Sequence, residues 1–314
     1  MGKVIAVCIS DVKGVQKQDI QKAYLKKDFG VQNDAHGGDW HRQVSLLSYD
    51  MVSDFNNKGA GVNHGDFGEN LLVEGIDFKT LPVGTKIKCG ESLLEITQIG
   101  KNCHTRCQIY HKMGDCIMPR EGVFAKVLEE GYVQVGDIAE VLPFSKNAFT
   151  AAVLTLSDKG AKGERKDESG PIIKEMLQEA GYIVQETAII SDDQKVIEEA
   201  LVTLSSNRQV DLILTTGGTG FSKRDNAPEA TLAIADKLAP GIAEAIRYNS
   251  LQITGRAMLS RGVSVIRGGS VIINLPGSPK AVKESLEYIL PHLKHGLEIL
   301  EGSASECATQ PHNS

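Results

Sequence analysis

The 314-residue sequence has no apolar run long enough to cross a bilayer, and aromatic residues make up only 5% of it. Its 41% hydrophobic and 24% charged residues are typical of a soluble globular protein. The formal net charge of −6 argues against nonspecific binding of nucleic acid, which requires a basic surface. We therefore expect neither a membrane nor a nucleic acid as a partner.

Cysteine is also scarce, with six residues in the chain and three of them between positions 103 and 116. These cysteines are too few and too clustered for a disulfide scaffold. Reduced thiols fit a cytoplasmic protein, which is the location we expect. Metal binding or redox chemistry stays open at the cluster.

The first part of the chain, residues 1–143, has little helical periodicity and many short strand patterns separated by glycine turns. The patterns predict strands at 4–9, 43–48, 85–90, 92–97 and 132–142. The stretch between 85 and 97 alternates polar and apolar residues around Gly90-Glu91, as hairpins do. We expect a mostly β domain, a barrel or a sandwich.

The second part, residues 148–302, alternates strand and helix patterns, so we place a domain boundary near 143–149. This alternation predicts a three-layer α/β domain with a largely parallel sheet. Ser169 is expected to cap one helix, and Ser278-Pro279 to begin the last one. The polar tail at 303–314 is expected to be disordered.

Four polar stretches follow predicted strands of this second domain, and ligands bind at the carboxyl ends of such strands. They are "SD" at 157–158, "SDD" at 191–193, "TTGGTG" at 215–220 and "NLPGSP" at 274–279. The glycines of "TTGGTG" allow positive φ, and their amides could hold phosphate oxygens. A tight strand exit without a ligand is the simpler alternative.

Two aspartates, Asp192 and Asp225, lie just past predicted strand ends. Acids beside a phosphate site are repulsive unless they hold a cation, and Mg²⁺ favours one or two carboxylates together with substrate phosphates. Both aspartates also precede predicted helices, so capping is the alternative for each.

Residues 148–302 resemble the molybdopterin adenylyltransferase family, on six stretches in family order: "TLSDKG", "KDESGP", "IISDDQ", "TTGGTGFSKRDNAPEAT", "AMLSRGVSVIR" and "NLPGSPKAV". The resemblance implies adenylylation of molybdopterin by Mg-ATP with release of pyrophosphate. It also implies that Asp192 and Asp225 are catalytic and bind the metal, and that this domain forms homotrimers. The attacking pterin phosphate is already ionised, so the chemistry requires no strong base.

The resemblance further implies which residues bind the nucleotide and the pterin. These are Ser157, Asp158, Ser169, Gly170, Thr216, Gly217, Gly218, Thr219, Gly220, Arg224, Ser260, Pro276, Gly277 and Ser278. One departure from the family pattern is Ala227, which stands where a threonine is usual. The loss of this hydroxyl is expected to lower affinity modestly while both acids keep the chemistry intact.

The cysteine cluster lies in "GKNCHTRCQIYHKMGDC", residues 100–116. It contains Cys103, His104, Cys107, His111 and Cys116. A zinc site, buried structural thiols and a reactive thiolate are all compatible with this pattern. In the third case Lys101, Arg106 and the histidines would lower the pKa of the thiol.

Residues 1–143 resemble the MOSC domain of molybdenum cofactor sulfurases, on "HGG" (36–38), "QVSLLS", "GDFGENLLVEG" (65–75) and "ITQIGKNC" (96–103). The resemblance implies that Cys103 carries persulfide sulfur or faces the molybdenum cofactor. His36, Glu69 and Asn70 are weaker candidates, while Cys107 and Cys116 could resolve a persulfide or bind metal. It also brings an association with molybdenum and pyridoxal phosphate binding.

The two resemblances together predict a two-domain cytoplasmic enzyme of molybdenum cofactor biosynthesis. Its second domain would adenylate molybdopterin, and its first would bind cofactor or handle sulfur. A sulfur donor or a molybdate-insertion protein is the expected protein partner. The alternative is a noncatalytic carrier that keeps the glycine turn only to bind the pterin phosphate.

Overall fold

The computed structural model of the protein describes residues 1–101, 103 and 107–302. The chain divides into two compact units, Met1–Lys146 and Asn147–Ser314. The predicted tail at 303–314 lies outside the described residues.

The first unit is built mainly from strands. These are β1 (Gly2–Ile9), β2 (Gln18–Asp19), β3 (Lys22–Lys26), β4 (Gly30–Val31), β5 (Val44–Ser48), β6 (Leu71–Glu74), β7 (Lys86–Cys89), β8 (Ser92–Ile99), β9 (Val123–Glu129), β10 (Gly131–Gln134) and β11 (Ile138–Val141). Its helices are α1 (Tyr49–Asn57), α2 (Gln108–Met113) and α3 (Met118–Glu121), with a 3₁₀ turn at Phe78–Thr80.

Seven of these strands close into a barrel, in the order β11-β7-β8-β9-β5-β6-β1, because β1 also pairs with β11. The barrel interior is filled by alternate apolar side chains, including Val4, Leu46 and Leu94. Ala6 and Cys8 of β1 instead join a second apolar cluster with Phe55 of α1. The expectation of a mostly β barrel is confirmed.

The single strand predicted at 132–142 is wrong, because the chain turns at Gly136, where φ is +96°. The part before the turn, β10, pairs with β3 in a separate three-stranded sheet. The part after the turn, β11, completes the barrel. Apolar residues lie on both sides of Gly136-Asp137, and the prediction missed the turn that this pair forms.

The second unit alternates strands and helices. Its strands are β12 (Thr150–Leu156), β13 (Ile183–Ile190), β14 (Leu212–Thr216), β15 (Lys237–Leu238), β16 (Ser264–Arg267) and β17 (Ser270–Leu275). Its helices are α4 (Asp158–Ala161), α5 (Ser169–Glu179), α6 (Gln194–Val202), α7 (Ala227–Ala233), α8 (Pro240–Leu251) and α9 (Pro279–Glu301), with a π segment at Thr203–Asn207 and a 3₁₀ turn at Gly255–Leu259.

These strands form one mixed sheet in the order β13-β12-β14-β17-β16-β15. The first four strands are parallel, whereas β16 and β15 are antiparallel to their neighbours. Leu212 and Leu214 pack on one face with α5 and α9, and Ile213 packs on the other face with α6. Helices therefore cover both faces of the sheet, and the unit has three layers.

The two predicted helix starts have different outcomes. Ser278 caps α9, with its side chain accepting a hydrogen bond from the Ala281 amide at 3.3 Å, as predicted. Ser169 is not a cap, because it already lies inside α5. The Asp167 carboxylate serves this helix start, accepting the amides of Ser169 at 3.1 Å and Gly170 at 2.9 Å.

Candidate active site

The parallel strands of the second unit end at one edge of the sheet. Thr216 at the end of β14 is in register with Thr155 of β12 and with Leu275, the last residue of β17. Ile190, the last residue of β13, pairs with Leu156. The four polar stretches predicted to follow these strands therefore begin side by side.

The glycine turn at 217–220 contains two glycines whose backbone conformation disfavours a side chain. Gly217 and Gly218 have φ of +95° and +64°. A Cβ on Gly217 would lie 2.6 Å from the Leu156 carbonyl oxygen, so a side chain there would displace the turn. The turn thus passes directly over the end of β12.

Hydroxyl groups link the glycine turn to the neighbouring loops. Thr216 Oγ1 donates to the Pro276 carbonyl at 2.6 Å, and Ser169 Oγ donates to the Gly277 carbonyl at 3.0 Å. Since a hydroxyl has one hydrogen to donate, Thr216 and Ser169 keep only their lone pairs for a ligand in this arrangement. Their observed role is to hold the strand-end loops together.

Neither Asp192 nor Asp225 caps the helix that follows it, so the capping alternative is wrong for both. Asp192 Oδ2 accepts the Asp158 amide at 2.8 Å, while Asp158 Oδ1 accepts the Asp192 amide at 3.0 Å. Asp225 Oδ2 accepts the Ser222 amide at 2.8 Å. The cap of α6 is the adjacent Asp193, which accepts two amides of the first turn.

The charges around Asp192 are unbalanced. Burial raises the pKa of its carboxyl group, and the negative charges of Asp158 and Asp225 raise it further, while the Asp158 amide and Arg224 lower it in part. Arg224 binds Asp158 with both Nε (3.0 Å) and Nη2 (2.8 Å), which lowers the Asp158 pKa. A cation beside Asp192 would relieve this excess of negative charge.

The donor set fits Mg²⁺. The hydrogen bonds to Asp192 and Asp225 use Oδ2, which leaves Oδ1 of each carboxylate as a free acceptor among the described residues. Within the same residues no group of three or more His, Cys, Asp or Glu side chains is arranged for a metal. Two carboxylates completed by phosphate oxygens and water match the coordination that Mg²⁺ prefers.

Two further predicted binding residues, Ser157 and Ser260, come from different parts of the chain. Ser157 caps α4, with its side chain accepting the Gly160 amide at 3.0 Å. Ser260 comes from a distant turn, but the Arg261 amide after it donates to the Thr219 carbonyl at 2.9 Å. Side-chain and backbone contacts join several of the predicted binding residues at this edge, namely Asp158 with Arg224, Ser169 with Gly277, and Thr216 with Pro276. Gly170, Gly217, Gly218, Thr219, Gly220 and Ser278 lie at the ends of the same strands or at the helix starts beside them.

Ala227, the departure from the family pattern, lies at the glycine turn. It is the first residue of α7, it is fully buried, and its amide donates to the Gly218 carbonyl at 3.1 Å. The hydroxyl of the usual threonine, which this chain lacks, would therefore be buried beside the glycine turn and not exposed at the edge of the site.

Three residues that support this site were missed in the sequence. Asn226 Nδ2 donates to the Asp192 carbonyl at 3.0 Å and so joins the two acidic loops. Asn274 Nδ2 donates to Thr215 Oγ1 at 2.9 Å inside the sheet. Arg261 contacts the loop before Asp225. Each contact spans more than thirty residues of chain, and no local pattern announces it.

The first unit contains a buried ionic network that includes two of its candidate residues. Lys17 Nζ lies 2.5 Å from Asp34 Oδ2, and both side chains are almost fully buried. Asn70 Nδ2 donates to the same Asp34 oxygen at 2.8 Å and to the Cys8 carbonyl at 3.0 Å. His36 Nδ1 lies 3.6 Å from Asp34 Oδ1. Sequence reasoning identified His36 and Asn70 but missed Lys17 and Asp34.

Glu69 is fully buried and orders the loop before β6. Its carboxylate accepts the amides of Gly65 at 2.6 Å and Phe67 at 3.2 Å. Burial raises the pKa of Glu69 to about 6, although these amide hydrogen bonds lower it in part. Glu69 therefore has a structural role in this unit.

The predicted thiol cluster is split between surface and core. Cys103 and Cys107 are exposed, whereas Cys116 is buried in the cluster beneath α1, and burial raises the pKa of its thiol. His104 and Arg106, which were expected to contribute to the cluster, lie outside the described residues. Among the described residues the cysteines are free thiols, with no metal-binding group around them.

Comparisons with known proteins match both units. A family model described as "Probable molybdopterin binding domain" matches residues 152–295, and the MOSC domain model matches residues 32–140. The molybdopterin adenylyltransferase of Escherichia coli K12 is 42% identical over 178 residues, which cover 52% of this chain and 91% of that protein. The chain belongs to the molybdopterin adenylyltransferase family.

Further proteins are similar to about half of the chain. The molybdopterin adenylyltransferase of Haemophilus influenzae is 45% identical over 152 residues, covering 48% of this chain and 76% of that protein. The solved structure of the molybdopterin biosynthesis enzyme MoaB from Thermus thermophilus is 44% identical, with a TM-score of 0.47. The match covers 49% of this chain and 97% of the chain in that structure. This adenylyltransferase-family chain thus carries a MOSC domain ahead of the part that its relatives share.

Nowhere in the described part of the chain is a helix both long and apolar enough to span a bilayer.

The Gly217→Ala variant tests the strained turn. We expect it to lower the free energy of unfolding by about 3 kcal/mol, because the new methyl group meets the Leu156 carbonyl in a backbone region that disfavours side chains. Gly268→Ala is the matched control, since φ there is +55° but nothing lies within 4 Å of the new atom. It should cost only about 1 kcal/mol. Urea unfolding followed by circular dichroism measures both, and equal losses would contradict the account.

Stability of the first unit should fall as pH rises through the Glu69 titration. The folded carboxyl titrates at about 6 instead of 4.5, so the folded state holds a proton that the unfolded state releases. The fall should be roughly 2 kcal/mol between pH 4.5 and 7. Trp40, the single tryptophan of the chain, reports urea unfolding of this unit by fluorescence.

The Glu69→Gln variant should lose this component of the pH dependence, whatever its stability at one pH. Glu74→Gln, at an exposed position of β6, is the control and should keep it. A pH profile of unfolding that Glu69→Gln leaves unchanged would refute the assignment.

Proposed function

We propose that the second unit is the enzyme that adenylates molybdopterin with Mg-ATP, in molybdenum cofactor biosynthesis. An oxygen of the pterin phosphate attacks the α-phosphorus of ATP and forms a new phosphoanhydride bond. The bond from the α-phosphorus to the bridging oxygen breaks, and pyrophosphate leaves with that oxygen. The observation that carries the proposal is that Asp225 lies against Gly220 of the glycine turn and Asp192 lies on a loop bonded to Asn226, with neither aspartate capping the helix that follows it.

The residues of the strand-end edge have distinct roles in this proposal. The amides at 217–220 hold phosphate oxygens of the nucleotide and the pterin, since positive φ at Gly217 and Gly218 exposes the backbone to a ligand. Asp192 and Asp225 would hold Mg²⁺, which when bound neutralises charge on the phosphates. Arg224, which precedes Asp225 on the same loop, pairs with Asp158 of the neighbouring loop and can offset phosphate charge as well.

No side chain in this scheme has to act as a strong base. The attacking phosphate is ionised at neutral pH, so positioning and electrostatic stabilisation supply the rate acceleration. The adenylyltransferase names of the relatives from Escherichia coli and Haemophilus influenzae support the reaction, which we transfer to this chain as part of the proposal.

For the first unit we propose binding of the molybdenum cofactor or transport of sulfur, with Cys103 as the reactive thiol. Its exposed position and the MOSC family match support this role. A sulfur donor or a molybdate-insertion protein is the partner that such a role requires. The association with pyridoxal phosphate stays a prediction.

The second unit is proposed to form a homotrimer in the cytoplasm. Large apolar side chains are exposed on α8 and the turn after it, including Tyr248 at 64%, Met258 at 69% and Leu259 at 48%. Such a surface is usual at contacts between subunits. Free cysteine thiols in the described residues support a reducing compartment.

Release of pyrophosphate from Mg-ATP in the presence of molybdopterin tests the adenylylation. We expect turnover by the wild type and a loss of at least about 100-fold in Asp225→Ala and Asp192→Ala, because the carboxylates that position the metal are removed. Asp193→Ala is the control: it removes the α6 cap next to Asp192, costs about 1 kcal/mol of stability and keeps the activity.

The outcome separates the enzyme from the noncatalytic carrier. A folded wild type that binds molybdopterin without releasing pyrophosphate would favour the carrier. Full activity in both aspartate variants would instead contradict the metal-binding role of Asp192 and Asp225.

Mass spectrometry tests the role of Cys103. After incubation with a small-molecule persulfide, whose outer sulfur is transferred to the Cys103 thiolate while the remaining thiol leaves, we expect the peptide that contains Cys103 to gain the mass of one sulfur atom, because this thiol is exposed to the donor. Cys103→Ser should abolish the gain and Cys107→Ser should preserve it. Sulfur on Cys107 alone, or on neither residue, would rule out the assignment.

A further inference from the structure

Arg261 makes an unusual set of contacts for a residue without an assigned role. Its side chain is 34% exposed, and its Nε donates to the Gly220 carbonyl at 2.7 Å. Nη2 donates to the Asp225 carbonyl, and Nη1 pairs with the Glu229 carboxylate. Its backbone amide also donates to the Thr219 carbonyl at 2.9 Å.

These contacts fix both ends of the loop that carries Asp225, which begins at Gly220 and ends at Asp225. The residues between the ends, 221–224, are exposed. A guanidinium group is a rigid planar fork, so binding Gly220 and Asp225 together sets the separation of their carbonyl groups. The loop conformation is thereby set from outside the loop.

The separation matters because the Asp225 carboxylate lies against Gly220. A Cβ on Gly220 would lie 2.8 Å from Asp225 Oδ2. Any shift of one loop end against the other would therefore move this carboxylate relative to the glycine turn.

Glu229 excludes a different role for Arg261. This residue lies in the first turn of α7, and its carboxylate neutralises the guanidinium and holds its orientation. All three guanidinium nitrogens of Arg261 already donate to protein oxygen atoms, so its side chain is directed at the loop and not at substrate phosphate.

We propose that Arg261 is a positioning residue that sets where the Asp225 carboxylate meets Mg²⁺ and the nucleotide phosphates. The proposal rests on the proposed function for the metal, while the loop contacts themselves do not depend on it. Two measurements on Arg261→Gln test the loop contacts and the metal-binding role separately.

The first measurement needs no ligand. Hydrogen–deuterium exchange of the peptide covering residues 219–227 should be at least about tenfold faster in Arg261→Gln than in the wild type, because both anchored carbonyls lose their donor. The control is Arg267→Gln, which removes the last residue of β16, an arginine that donates to the Ile234 carbonyl at 2.7 Å. Unchanged exchange at 219–227 in Arg261→Gln, or the same acceleration in the control, would overturn the proposal.

The second measurement is the Mg²⁺ concentration that gives half-maximal release of pyrophosphate. It should rise about 10- to 100-fold in Arg261→Gln, as is typical when a residue behind a metal ligand is lost, with most of the maximal rate recovered at saturating Mg²⁺. Glu229→Gln keeps the arginine and should give a smaller rise.

The outcomes of this second measurement are distinct. A lower maximal rate with an unchanged Mg²⁺ requirement would overturn the positioning role. If the wild type releases no pyrophosphate, the proposed function fails, and the exchange measurement still decides whether Arg261 holds the loop.

Discussion

Parallel pairing of β12, β14 and β17 is the constraint on which the candidate site depends. Because Thr155, Thr216 and Leu275 are held in register, the loops after these strands must leave the sheet at one edge. Hydrogen bonds from side chains to backbone then join those loops, such as the one from Thr216 to Pro276. The acidic residues reach this edge from two loops, and their mutual repulsion is tolerated because Arg224 and backbone amides oppose it.

The sequence allowed prediction of those features that local chemistry determines. Strand ends, the glycine turn and the Ser278 cap follow from residue types that suit few conformations. Asp192 and Asp193 show where such reasoning stops, since both are good caps and only the backbone path decides that Asp193 serves α6. In the same way it is Asp167, two residues before Ser169, that accepts an amide at the start of α5, a role that was expected of Ser169.

Contacts between distant residues were not predictable. Lys17 and Asp34 form a buried pair that leaves no periodic signal, although it holds Asn70 and approaches His36 in the first unit. In the sequence, Arg261 is only one residue of a stretch that resembles the family. Its contacts to Gly220 and Asp225 form only when the chain is folded. Pairing of charged groups in the core costs desolvation, so such pairs persist where the fold supplies further hydrogen bonds.

The central claim is that Asp192 and Asp225 bind the cation that accompanies a nucleotide at the glycine turn. Calorimetric titration with α,β-methylene-ATP, which resists cleavage between the α- and β-phosphates, measures this directly. We expect Mg²⁺ to lower the dissociation constant of the nucleotide for the wild type and to leave it unchanged when both aspartates are replaced by asparagine. Equal strengthening by Mg²⁺ in the wild type and the double variant would contradict it.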